Sequence, residues 1–580
     1  MGLTWHTEER SSDYRYRMTK SKMRSRCLIC FGLFCVAGIV LVCLYVYLPI
    51  SCSNGNCCSN GNCTRGAVAA DSEMCSNIGR DMLKKGGSAV DAAIAALICT
   101  GLVNPQSMGL GGGSIFTIKD KAGKVTVISS RETVPKTIKA NLMSDCAGKM
   151  FYHGAQWIGV PGEIRGYKAA HDLYGKLPWE ELFQPSIRLA REGIPMPPYL
   201  FRFISHPMIK PLITSYLCDL FCHKNKTLLT TKDTLRYPKL ADTMETIAKD
   251  GPESFYSGTI AQDLIDDVQA AGGSLTMEDL KSYRVRHNDA LSVPMGDYTM
   301  HIPPPPAGGA ILTFILNIMR GYKLSRSSLS GEGKVVMFQR FIEACKFANG
   351  QKKSVKDPEF HRVDVSNLIR EDFASEVRRL ITSDRTHSAS YYNATPSREQ
   401  MGTTHVSVIA EDGAAVSVTS TINQMFGSLI YSRKTGIILN NELGDFCNTA
   451  GDIRPGEQPP SSMAPVILHS ESLDKTLVIG GSGGSLITSA MALSIINHLW
   501  LEKSLKDAIA TPIVFVDGSN KVSFEGHFDK NLKEDLLRLG HTDGKRPAES
   551  FLNVVNAVVK ERGCLTAVSD SKKMGKAACY

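Results

Sequence analysis

The chain has 580 residues, 43% of them hydrophobic and 21% charged, a composition that supports a large folded core and excludes a mainly disordered protein. Its net charge of +9 is modest, and no basic stripe is interleaved with aromatic residues, so nucleic acid is not an expected partner. Part of this charge is local, because residues 1–26 carry seven Lys or Arg and three acidic residues, a net charge of +4. We interpret residues 1–26 as a cytoplasmic tail.

An uncharged apolar segment, CLICFGLFCVAGIVLVCLYVYLPI, occupies residues 27–50. It is long enough to cross a bilayer as a helix, and its basic flank is N-terminal. The positive-inside rule therefore predicts a single-pass type II signal anchor with a lumenal or extracellular body, and we expect the protein in the plasma membrane with its catalytic domain extracellular. A cleaved signal peptide is the alternative, since Ser51 and Cys52 are small enough to flank a cleavage site, although its apolar core is normally shorter.

Cysteines cluster directly after the anchor. Residues 51–64 hold the near-repeat CSNGNC twice and are interpreted as a cysteine-rich stem, with Cys75 as a candidate disulfide partner. Cys218 and Cys222 are four residues apart and form a second candidate disulfide that would close a small loop. Disulfides of this kind fit an oxidising, extracellular compartment.

Three N-x-[ST] sequons lie on the predicted extracellular side, at Asn62, Asn225 and Asn393. Such sequons accept N-linked glycans when they are exposed on secreted or extracellular domains. All three are therefore candidate glycosylation sites, and the topology and the cysteines point the same way.

From residue 65 onward, helical and strand patterns alternate. Ser88 and Asp91 match a capping box before the apolar run Ala92–Val103, which predicts a buried helix too short to span a membrane. GLGGGS at 109–114 follows this helix and precedes the strand patterns SIFTI and KVTVIS, the reverse of a dinucleotide-binding context. Mostly helical patterns then extend to about residue 395.

The pattern becomes strand-rich after Asn393. A hairpin is predicted around the turn Glu411–Gly413, followed by the strands SLIYS, TGIILNNE and TLVIGGSGGS, the last leading into a helix at Ile487–Leu499. Apolar strands flanked by apolar helices predict an α+β fold in which helices cover the sheets. The chain has no Walker A motif, no H-E-x-x-H and no Cys/His cluster with zinc spacing, so neither a metal nor a cofactor is expected.

GGSGG at 480–484 matches the G-x-S-x-G nucleophile elbow in its strand-to-helix context. A serine hydrolase would use Ser482, with Asp529 and His541 as downstream partners. The same glycines have a second use, because backbone N–H groups at a strand-to-helix turn form a good oxyanion hole for another nucleophile.

MGTTHVSV at 401–408 raises the possibility of that other nucleophile. If the chain is cut between Gly402 and Thr403, Thr403 gains a free α-amine, which titrates near working pH and can act as base for its own hydroxyl. Gly402 suits such a cut because it tolerates strained dihedrals. Thr404 and His405 are then ordinary strand residues. Taken alone, a Gly-Thr pair before a strand is most often a plain strand start.

Several long motifs in fixed order resemble the gamma-glutamyltransferase family of N-terminal-nucleophile hydrolases, in register from about residue 65 to Tyr580. They are SAVDAAIAAL, SMGLGGGS, SSRETVP, GTTHVSVIAEDGAAVSVTSTIN, ILNNELGDF, PPSSMAP, VIGGSGG and AVSDSKKMGKAACY. Within the family, Cys447 after ILNNEL, KDPEFH at 356–361 and FLNVVNAV at 551–558 most resemble the gamma-glutamyl leukotrienase (glutathione hydrolase 5) branch.

The resemblance implies an αββα sandwich and a precursor that cuts itself at Gly402–Thr403. The large-subunit part would be residues 65–402 and the small-subunit part residues 403–580, and the two would remain together as a heterodimer. Thr403 would be the nucleophile and Thr421 would orient it, with Gly483 and Gly484 as the oxyanion-hole glycines.

The resemblance also implies a binding site for the free α-carboxylate and α-ammonium of a γ-glutamyl group. Arg131 would bind the carboxylate bidentately, helped by the hydroxyls of Ser461 and Ser462. The ammonium would be bound by three acceptor side chains: Asn423, Glu442 and Asp445. One departure from the family pattern is Gly444, which stands where many members carry an acidic residue and puts fine specificity in question.

The implied activity is cleavage of the γ-glutamyl amide of glutathione and its S-conjugates, including leukotriene C4-like conjugates. An acyl-enzyme ester on Thr403 would pass its γ-glutamyl group to water or to an amino-acid or dipeptide acceptor, without a cofactor. Two alternatives stay open at this point: a serine hydrolase at Ser482, or an uncleaved and inactive surface protein of the same fold.

Overall fold

The computed structural model describes residues 63–147, 151–394, 402–448, 452–547 and 552–580. The predicted anchor at 27–50, Asn62 and nearly all of the predicted stem lie outside these ranges. Within them, no helix is both long enough and apolar enough to cross a bilayer. The described residues fold as one compact unit.

Seventeen strands lie within the described residues, and most of them form two antiparallel sheets. In chain order they are β1 (Ala67–Ala69), β2 (Gly113–Lys119), β3 (Val125–Ser129), β4 (Ile194–Pro195), β5 (Thr234–Leu235), β6 (Arg286–Asp289), β7 (Leu291–Met295), β8 (Tyr298–Ile302), β9 (Thr404–Ile409), β10 (Ala415–Thr421), β11 (Val466–Ser470), β12 (Lys475–Ser482), β13 (Val514–Val516), β14 (Val522–Phe524), β15 (Val554–Glu561), β16 (Cys564–Ser569) and β17 (Ala578–Cys579). The first sheet has the order β17-β1-β9-β10-β2-β3-β6, and the second has the order β16-β15-β12-β11-β8-β7.

The α-helices of the described residues cover the outer faces of the two sheets. They are α1 (Glu73–Lys84), α2 (Ala89–Val103), α3 (Glu163–Tyr174), α4 (Trp179–Glu192), α5 (Pro198–Ile204), α6 (Lys210–Tyr216), α7 (Cys218–Phe221), α8 (Pro238–Asp250), α9 (Glu253–Tyr256), α10 (Thr259–Ala270), α11 (Met277–Ser282), α12 (Gly309–Arg320), α13 (Gly331–Gln351), α14 (Ser366–Ile369), α15 (Glu371–Leu380), α16 (Ile487–Ile495), α17 (Leu505–Ala510) and α18 (Lys530–Arg538).

The four layers are helix, sheet, sheet and helix. Helix α2 packs on β9 and β10, and α3 packs on β2. On the other side, α16 packs on β12 and β15, and α12 packs on α16. A thin apolar layer that includes Ile409, Ile467, Val478 and Val558 lies between the sheets. The predicted α+β class, with helices covering sheets, is confirmed.

The sequence pattern explains helix α2 well. The Ser88 hydroxyl accepts from the Asp91 amide at 3.1 Å, and the Asp91 carboxylate accepts from the Ser88 amide at 2.8 Å. This is the predicted capping box, and it satisfies two amides that the first helical turn leaves unpaired. Of the helix residues, 14 of 15 are buried, which agrees with the apolar run.

The first sheet joins the two sides of the predicted cut. Strands β9 and β10, which follow Gly402, lie between β1 and β2, which precede it. Every β9 residue is buried, as is every residue of β10. The residues after the predicted cut are therefore built into the same sheet as the residues before it.

In its described residues, the stretch predicted to be mostly helical holds α3 to α15 and only the short strands β4 to β8, so that prediction is confirmed. Two other predictions about local structure are wrong. SLIYS and TGIILNNE are not strands. Among the described residues, one isolated bridge, between Tyr431 and Ile438, pairs the two segments. Backbone at positive φ near Phe426 and Leu429 turns the chain too sharply for a ladder there.

Four disulfides join pairs of cysteines within the described residues. Cys218 is bonded to Cys222, and Cys75 is bonded to Cys99, so the suggested pairing of Cys75 with the stem is wrong. The other two bonds, Cys63–Cys579 and Cys146–Cys447, join residues 516 and 301 positions apart.

Candidate active site

Thr403 lies directly before β9, at the entry to the central hairpin of the first sheet. Its hydroxyl is 3.2 Å from the hydroxyl of Thr421, at the end of β10, and Thr421 in turn accepts from the Asn423 amide at 2.8 Å. Thr403 has φ of +81°, a conformation that β-branched residues rarely adopt and that costs about 1–3 kcal/mol. The predicted nucleophile thus carries backbone strain.

The Gly-rich turn after β12 reaches the same place. The Gly483 amide donates to the carbonyl oxygen of Gly402 at 3.0 Å, so an oxyanion donor already faces the carbonyl of the predicted scissile bond. Gly402 has φ of +152°, and a Cβ there would meet the Asn423 carbonyl at 1.9 Å. Only glycine fits at this position. Gly484 follows with φ of +60°, and its part in an oxyanion hole stays a prediction.

GLGGGS and the residues before it support the hairpin from the other side. The Ser107 carbonyl accepts from the amides of Thr403 and Ile422, each at 3.3 Å. A Cβ on Gly112 would meet the Thr421 carbonyl at 2.0 Å, so the glycine allows the two backbones to approach. This explains the glycines without a bound dinucleotide.

A buried lysine, which the sequence patterns did not single out, contacts the nucleophile residue. Lys573 donates to the Thr403 carbonyl at 2.6 Å, to the Ser482 hydroxyl at 2.8 Å and to Asp71 at 2.8 Å. Asp71 also accepts from the Thr404 hydroxyl at 2.6 Å and from Asn556 at 2.7 Å. The charge of Lys573 is therefore fully paired, and the network fixes the main chain of Thr403.

His405 lies two residues beyond Thr403 and is buried. Its ring nitrogens contact the hydroxyls of Thr419 at 2.8 Å and Ser407 at 2.9 Å. Burial, together with the nearby charge of Lys573, lowers the pKa of His405 to about 3, so the ring is neutral at physiological pH. A neutral histidine with both ring nitrogens hydrogen-bonded fits the ordinary strand residue that the sequence predicts.

The predicted donor-binding residues form one buried ionic cluster. Arg131 contacts Glu442 at 2.5 Å and Asp445 at 2.6 Å, and Asp445 also accepts from Asn423 at 2.7 Å. Because Asn423 also bonds to Thr421, this cluster is connected to the predicted nucleophile.

The guanidinium of Arg131 is heavily occupied. Besides the two carboxylates, it donates to the carbonyls of Pro459 at 2.9 Å and Pro460 at 3.0 Å. These contacts use four of its five N–H groups. Burial alone would lower the pKa of Arg131, but the charges of Glu442 and Asp445 raise it above its ordinary value, so the group stays charged. Binding a substrate carboxylate bidentately requires that at least one of these partners moves away.

Carboxyl groups outnumber the cation in this cluster. Glu132 is fully buried beside Glu442, and among the described residues neither oxygen of Glu132 has a hydrogen-bond partner. Burial, and then the charge of Glu442, raise the pKa of Glu132 well above its ordinary value. Burial thus disfavours the charged form of Glu132, the one carboxyl of the three that does not contact the guanidinium.

Ser461 and Ser462 directly follow the two prolines that contact Arg131. The Ser461 amide donates to the Pro306 carbonyl at 2.8 Å, and its hydroxyl accepts from the Met463 amide at 3.1 Å. Both serines are partly exposed. The structure therefore brings the predicted serines next to Arg131 along the chain, and it gives neither of them a direct contact with the guanidinium.

The KDPEFH motif braces this proline-serine loop. The buried Asp357 accepts from the Gln458 amide at 2.7 Å and pairs with Arg286 at 2.7 Å. His361 contacts Glu457 at 2.7 Å. The KDPEFH motif thus has a physical role, since it fixes the loop whose carbonyls bind Arg131.

Gly444 packs against an aromatic ring. A Cβ on Gly444 would meet Cδ2 of Tyr152 at 2.5 Å, and Tyr152 packs on Trp157 with ring centroids 4.8 Å apart. The space that an acidic side chain would need is therefore filled by Tyr152. This accounts for the departure from the family pattern at this position.

The serine-hydrolase alternative fails on geometry. Ser482 is fully buried and bonds to Lys573, whereas His541 bonds to Lys346 and Gln339, and Asp529 pairs with Lys334. The three predicted triad residues do not meet. Among the described residues, no group of His, Cys, Asp or Glu is arranged to hold a metal ion.

Sequence reasoning missed Lys573, Asp71, Glu132 and Tyr152. Lys573 lies inside the quoted motif AVSDSKKMGKAACY, but the adjacent Lys572 looks the same by composition. Glu132 follows Arg131 directly in SSRETVP, and that acid next to a candidate ligand was a usable signal. Asp71 and Tyr152 carried no local signal.

Comparison with known proteins agrees with the geometry. The family model described as Gamma-glutamyltranspeptidase matches residues 75–580. The chain is 46% identical to the glutathione hydrolase 5 proenzyme of Rattus norvegicus over 569 residues, covering 96% of this chain and 98% of the relative. It is also 46% identical to the human glutathione hydrolase 5 proenzyme over 545 residues, covering 89% of this chain and 92% of that protein.

Among solved structures, the cephalosporin acylase of Bacillus halodurans superposes with a TM-score of 0.80. The match covers 92% of this chain and 99% of that chain at 24% identity. At this identity the likeness concerns the fold alone, and it matches the layered arrangement described above.

Proposed function

The chain belongs to the gamma-glutamyltranspeptidase family, and from that membership we propose that it cleaves the γ-glutamyl amide of glutathione and transfers the γ-glutamyl group to water or to an amino-acid or dipeptide acceptor. The relatives that support this proposal most strongly are named glutathione hydrolase 5 proenzymes. The main supporting observation is that the Thr403 hydroxyl contacts Thr421, while the Gly483 amide donates to the adjacent Gly402 carbonyl.

The proposed first reaction is self-cleavage of the precursor. The Thr403 hydroxyl attacks the Gly402 carbonyl carbon, and the Gly483 amide stabilises the developing oxyanion. The C–N bond then breaks, the Thr403 nitrogen takes the proton, and an ester joins Gly402 to Thr403. Water hydrolyses the ester and leaves a Gly402 carboxylate and a free Thr403 α-amine. The strain at Thr403 and the name proenzyme in the relatives support this step.

The proposed catalytic cycle reuses the same groups. The α-amine of Thr403 takes the proton of its own hydroxyl, which attacks the γ-glutamyl carbonyl, and Thr421 orients the hydroxyl. The amine leaving group departs with a proton, and a γ-glutamyl ester remains on Thr403. Water or an acceptor amine then attacks this ester and restores the enzyme. Gly483, with Gly484, would bind the oxyanion in both halves.

Donor recognition would proceed by exchange of ion pairs. A γ-glutamyl group carries a carboxylate and an ammonium on one carbon atom. Its carboxylate would replace Glu442 or Asp445 on Arg131, and its ammonium would take the released carboxylate, so that no buried charge is left unpaired. Asn423, already bonded to Asp445, would be a further acceptor, and Ser461 and Ser462 would donate to the substrate carboxylate.

Glutathione S-conjugates, including leukotriene C4-like conjugates, are the proposed further substrates. The support is the 46% identity to the glutathione hydrolase 5 proenzymes and the Cys447 and KDPEFH motifs. Turnover of glutathione compared with a bulky S-conjugate by the same enzyme preparation tests this. An S-conjugate that is not cleaved at all would contradict it.

We also propose that the enzyme is a glycosylated, single-pass type II protein of the plasma membrane, anchored by residues 27–50. The support is the uncharged segment with its basic N-terminal flank, together with disulfides in the extracellular part. Asn225 and Asn393 are exposed, as glycan acceptors must be. Surface labelling of intact cells, and the gel shift caused by a glycosidase, test the location and the glycans.

A reducing denaturing gel combined with an activity assay tests the central proposal. Wild type should give two bands and release glutamate from glutathione. Thr403→Ala should give one band and lose activity by about 10⁴-fold or more, because the nucleophile and its amine are both removed. The matched variant Ser482→Ala should still give two bands. One wild-type band, or activity that survives Thr403→Ala, would contradict the proposal.

A further inference from the structure

Four disulfides have both of their cysteines among the described residues, and two of these four cross the Gly402–Thr403 bond. Cys75–Cys99 and Cys218–Cys222 each lie within the part before the cut. In contrast, Cys63–Cys579 and Cys146–Cys447 each join a residue before the cut to a residue after it. Once the chain is cleaved, these two bonds would connect the large chain covalently to the small chain.

The Cys146–Cys447 bond lies next to the donor-binding cluster. Cys447 belongs to the short 3₁₀ helix Glu442–Asn448, which carries Glu442 and Asp445. Cys146 ends the 3₁₀ helix Leu142–Cys146. The bonded cysteines pack against a small apolar cluster that contains Leu142, Tyr152, Trp157, Leu443 and Phe446.

The donor cluster itself is assembled across the cut. Arg131 and Glu132 precede Gly402, whereas Glu442 and Asp445 follow Thr403. The helix that carries these two acids has seven residues, and no strand ladder of either sheet includes it. Opposite charges attract it to Arg131, but two carboxylates, of Glu442 and Asp445, share that one guanidinium and repel each other.

We propose that Cys146 and Cys447 are positioning residues for the donor site: their disulfide ties the Glu442–Asn448 helix to the large chain after cleavage and keeps Asp445 and Glu442 opposite Arg131. A crosslink between chains raises the effective concentration of the two halves of the site. The inference rests on the proposed self-cleavage. Its second consequence is that the mature enzyme is a disulfide-linked heterodimer.

Peptide mapping of the wild-type protein tests the bond directly. Digestion without reductant, followed by mass spectrometry, should yield a crosslinked peptide pair that contains Cys146 and Cys447, and reductant should separate it. Two unlinked peptides with free thiols at these positions would overturn the proposal. This measurement does not depend on any variant.

Gel mobility tests the link between the chains. Cys564 is also disulfide-bonded, so we replace it together with Cys579 and leave Cys146–Cys447 as the connection under test. Cys564→Ser/Cys579→Ser should run as one band without reductant and as two bands with it. Adding Cys447→Ser should give two bands in both lanes. Two bands for the first variant without reductant would overturn the proposal.

The same gel separates this proposal from the proposed function. If Thr403 does not cut the chain, one band remains in every lane, including the reduced lanes. If cutting occurs but the disulfide is absent, two bands appear without reductant. The two failures therefore give different patterns.

Kinetics test the positioning role. Cys146→Ala/Cys447→Ala should raise KM for glutathione by about 5–20-fold and change kcat less than about threefold, because substrate binding is weakened and the nucleophile is untouched. Cys564→Ser/Cys579→Ser, which removes the Cys63–Cys579 bond and the bond of Cys564, is the matched control and should leave both constants within about twofold of wild type. An equal rise in KM for the control, or no rise for Cys146→Ala/Cys447→Ala, would contradict a positioning role.

Discussion

Arg131 and Lys346 are both buried cations surrounded by polar groups, yet their surroundings differ in how completely the charges are paired. Lys346 lies on α13 and contacts Glu343, Thr386 and His541. Both oxygens of Glu343 accept a hydrogen bond, from Thr386 at 2.8 Å and from Tyr392 at 2.6 Å. Burial lowers the pKa of Lys346, while the charge of Glu343 opposes that shift.

The Arg131 cluster is not closed in this way. Three carboxyl groups surround one guanidinium, and one oxygen of Glu442 and both oxygens of Glu132 have no hydrogen-bond partner among the described residues. Buried polar atoms without partners are costly in a cluster that serves only stability. Both cations are buried, so burial of a charge does not by itself identify the donor site; the two clusters differ in the carboxyl oxygens that the Arg131 cluster leaves unpaired.

The largest effect is expected from Arg131→Lys. A lysine keeps the charge but loses the fork that contacts two carboxylates and two carbonyls, so kcat/KM for glutathione should fall by about 10²–10³-fold. Steady-state kinetics at several glutathione concentrations measure it.

Lys346→Met is the matched change in the closed cluster. It leaves Glu343 buried without its cation and should lower the free energy of unfolding by about 3–5 kcal/mol. The kcat/KM of the enzyme that remains folded should not change. If Lys346→Met reduces kcat/KM as strongly as Arg131→Lys does, the distinction between the two clusters is lost.

Asp445→Asn should have the next largest effect. The amide keeps the shape of the side chain but cannot supply a negative charge to Arg131 or to a substrate ammonium, so KM should rise about 10–100-fold. Titration of the rate with glutathione checks this. A variant whose KM stays at the wild-type value would separate Asp445 from donor binding.

Glu132→Gln tests whether this carboxyl is protonated. Because the pKa of Glu132 is raised on folding, the folded state binds more protons than the unfolded state above the ordinary carboxyl range, and stability falls as pH rises. Glutamine removes that dependence. Between about pH 5 and 8, the free energy of unfolding should therefore fall less for the variant than for wild type. Thermal unfolding across this range measures it, and identical pH profiles for both proteins would refute the assignment.

Gly444→Ala should give the smallest effect. The added Cβ meets the Tyr152 ring at 2.5 Å, and a ring can shift where backbone cannot. Overpacking of this kind costs about 1–3 kcal/mol of stability, and we expect KM to rise only a few-fold because Asp445 is the next residue. Pairing the change with Tyr152→Ala should restore KM. No restoration would mean that Tyr152 is not the neighbour that matters.

The sequence was informative where local chemistry decides structure. The Ser88 capping box, the hairpin of β9 and β10, and the role of Gly402 all depend on residues that are close together in the chain. Thr403 could be singled out because its own amine and hydroxyl belong to one residue. The strand pattern of TGIILNNE misled, since alternation cannot tell a ladder from an irregular buried segment.

The rest of the site depends on contacts between distant residues. Lys573 reaches Thr403 across 170 positions, and Cys146 reaches Cys447 across 301. No periodicity or motif spacing reports such pairs. The hydrogen bonds that occupy the Arg131 guanidinium could not be predicted from the sequence either, because they depend on where the fold places Pro459, Glu442 and Asp445.

The most direct measurement is the mass of the peptide that begins at Thr403. The wild-type enzyme is mixed with glutathione, quenched in acid, reduced, digested and analysed by mass spectrometry. We expect a peptide whose first residue is Thr403, part of it heavier by one glutamyl group attached to that threonine. An unbroken peptide that spans Gly402 and Thr403, or a glutamyl group on Ser482 instead, would contradict the account.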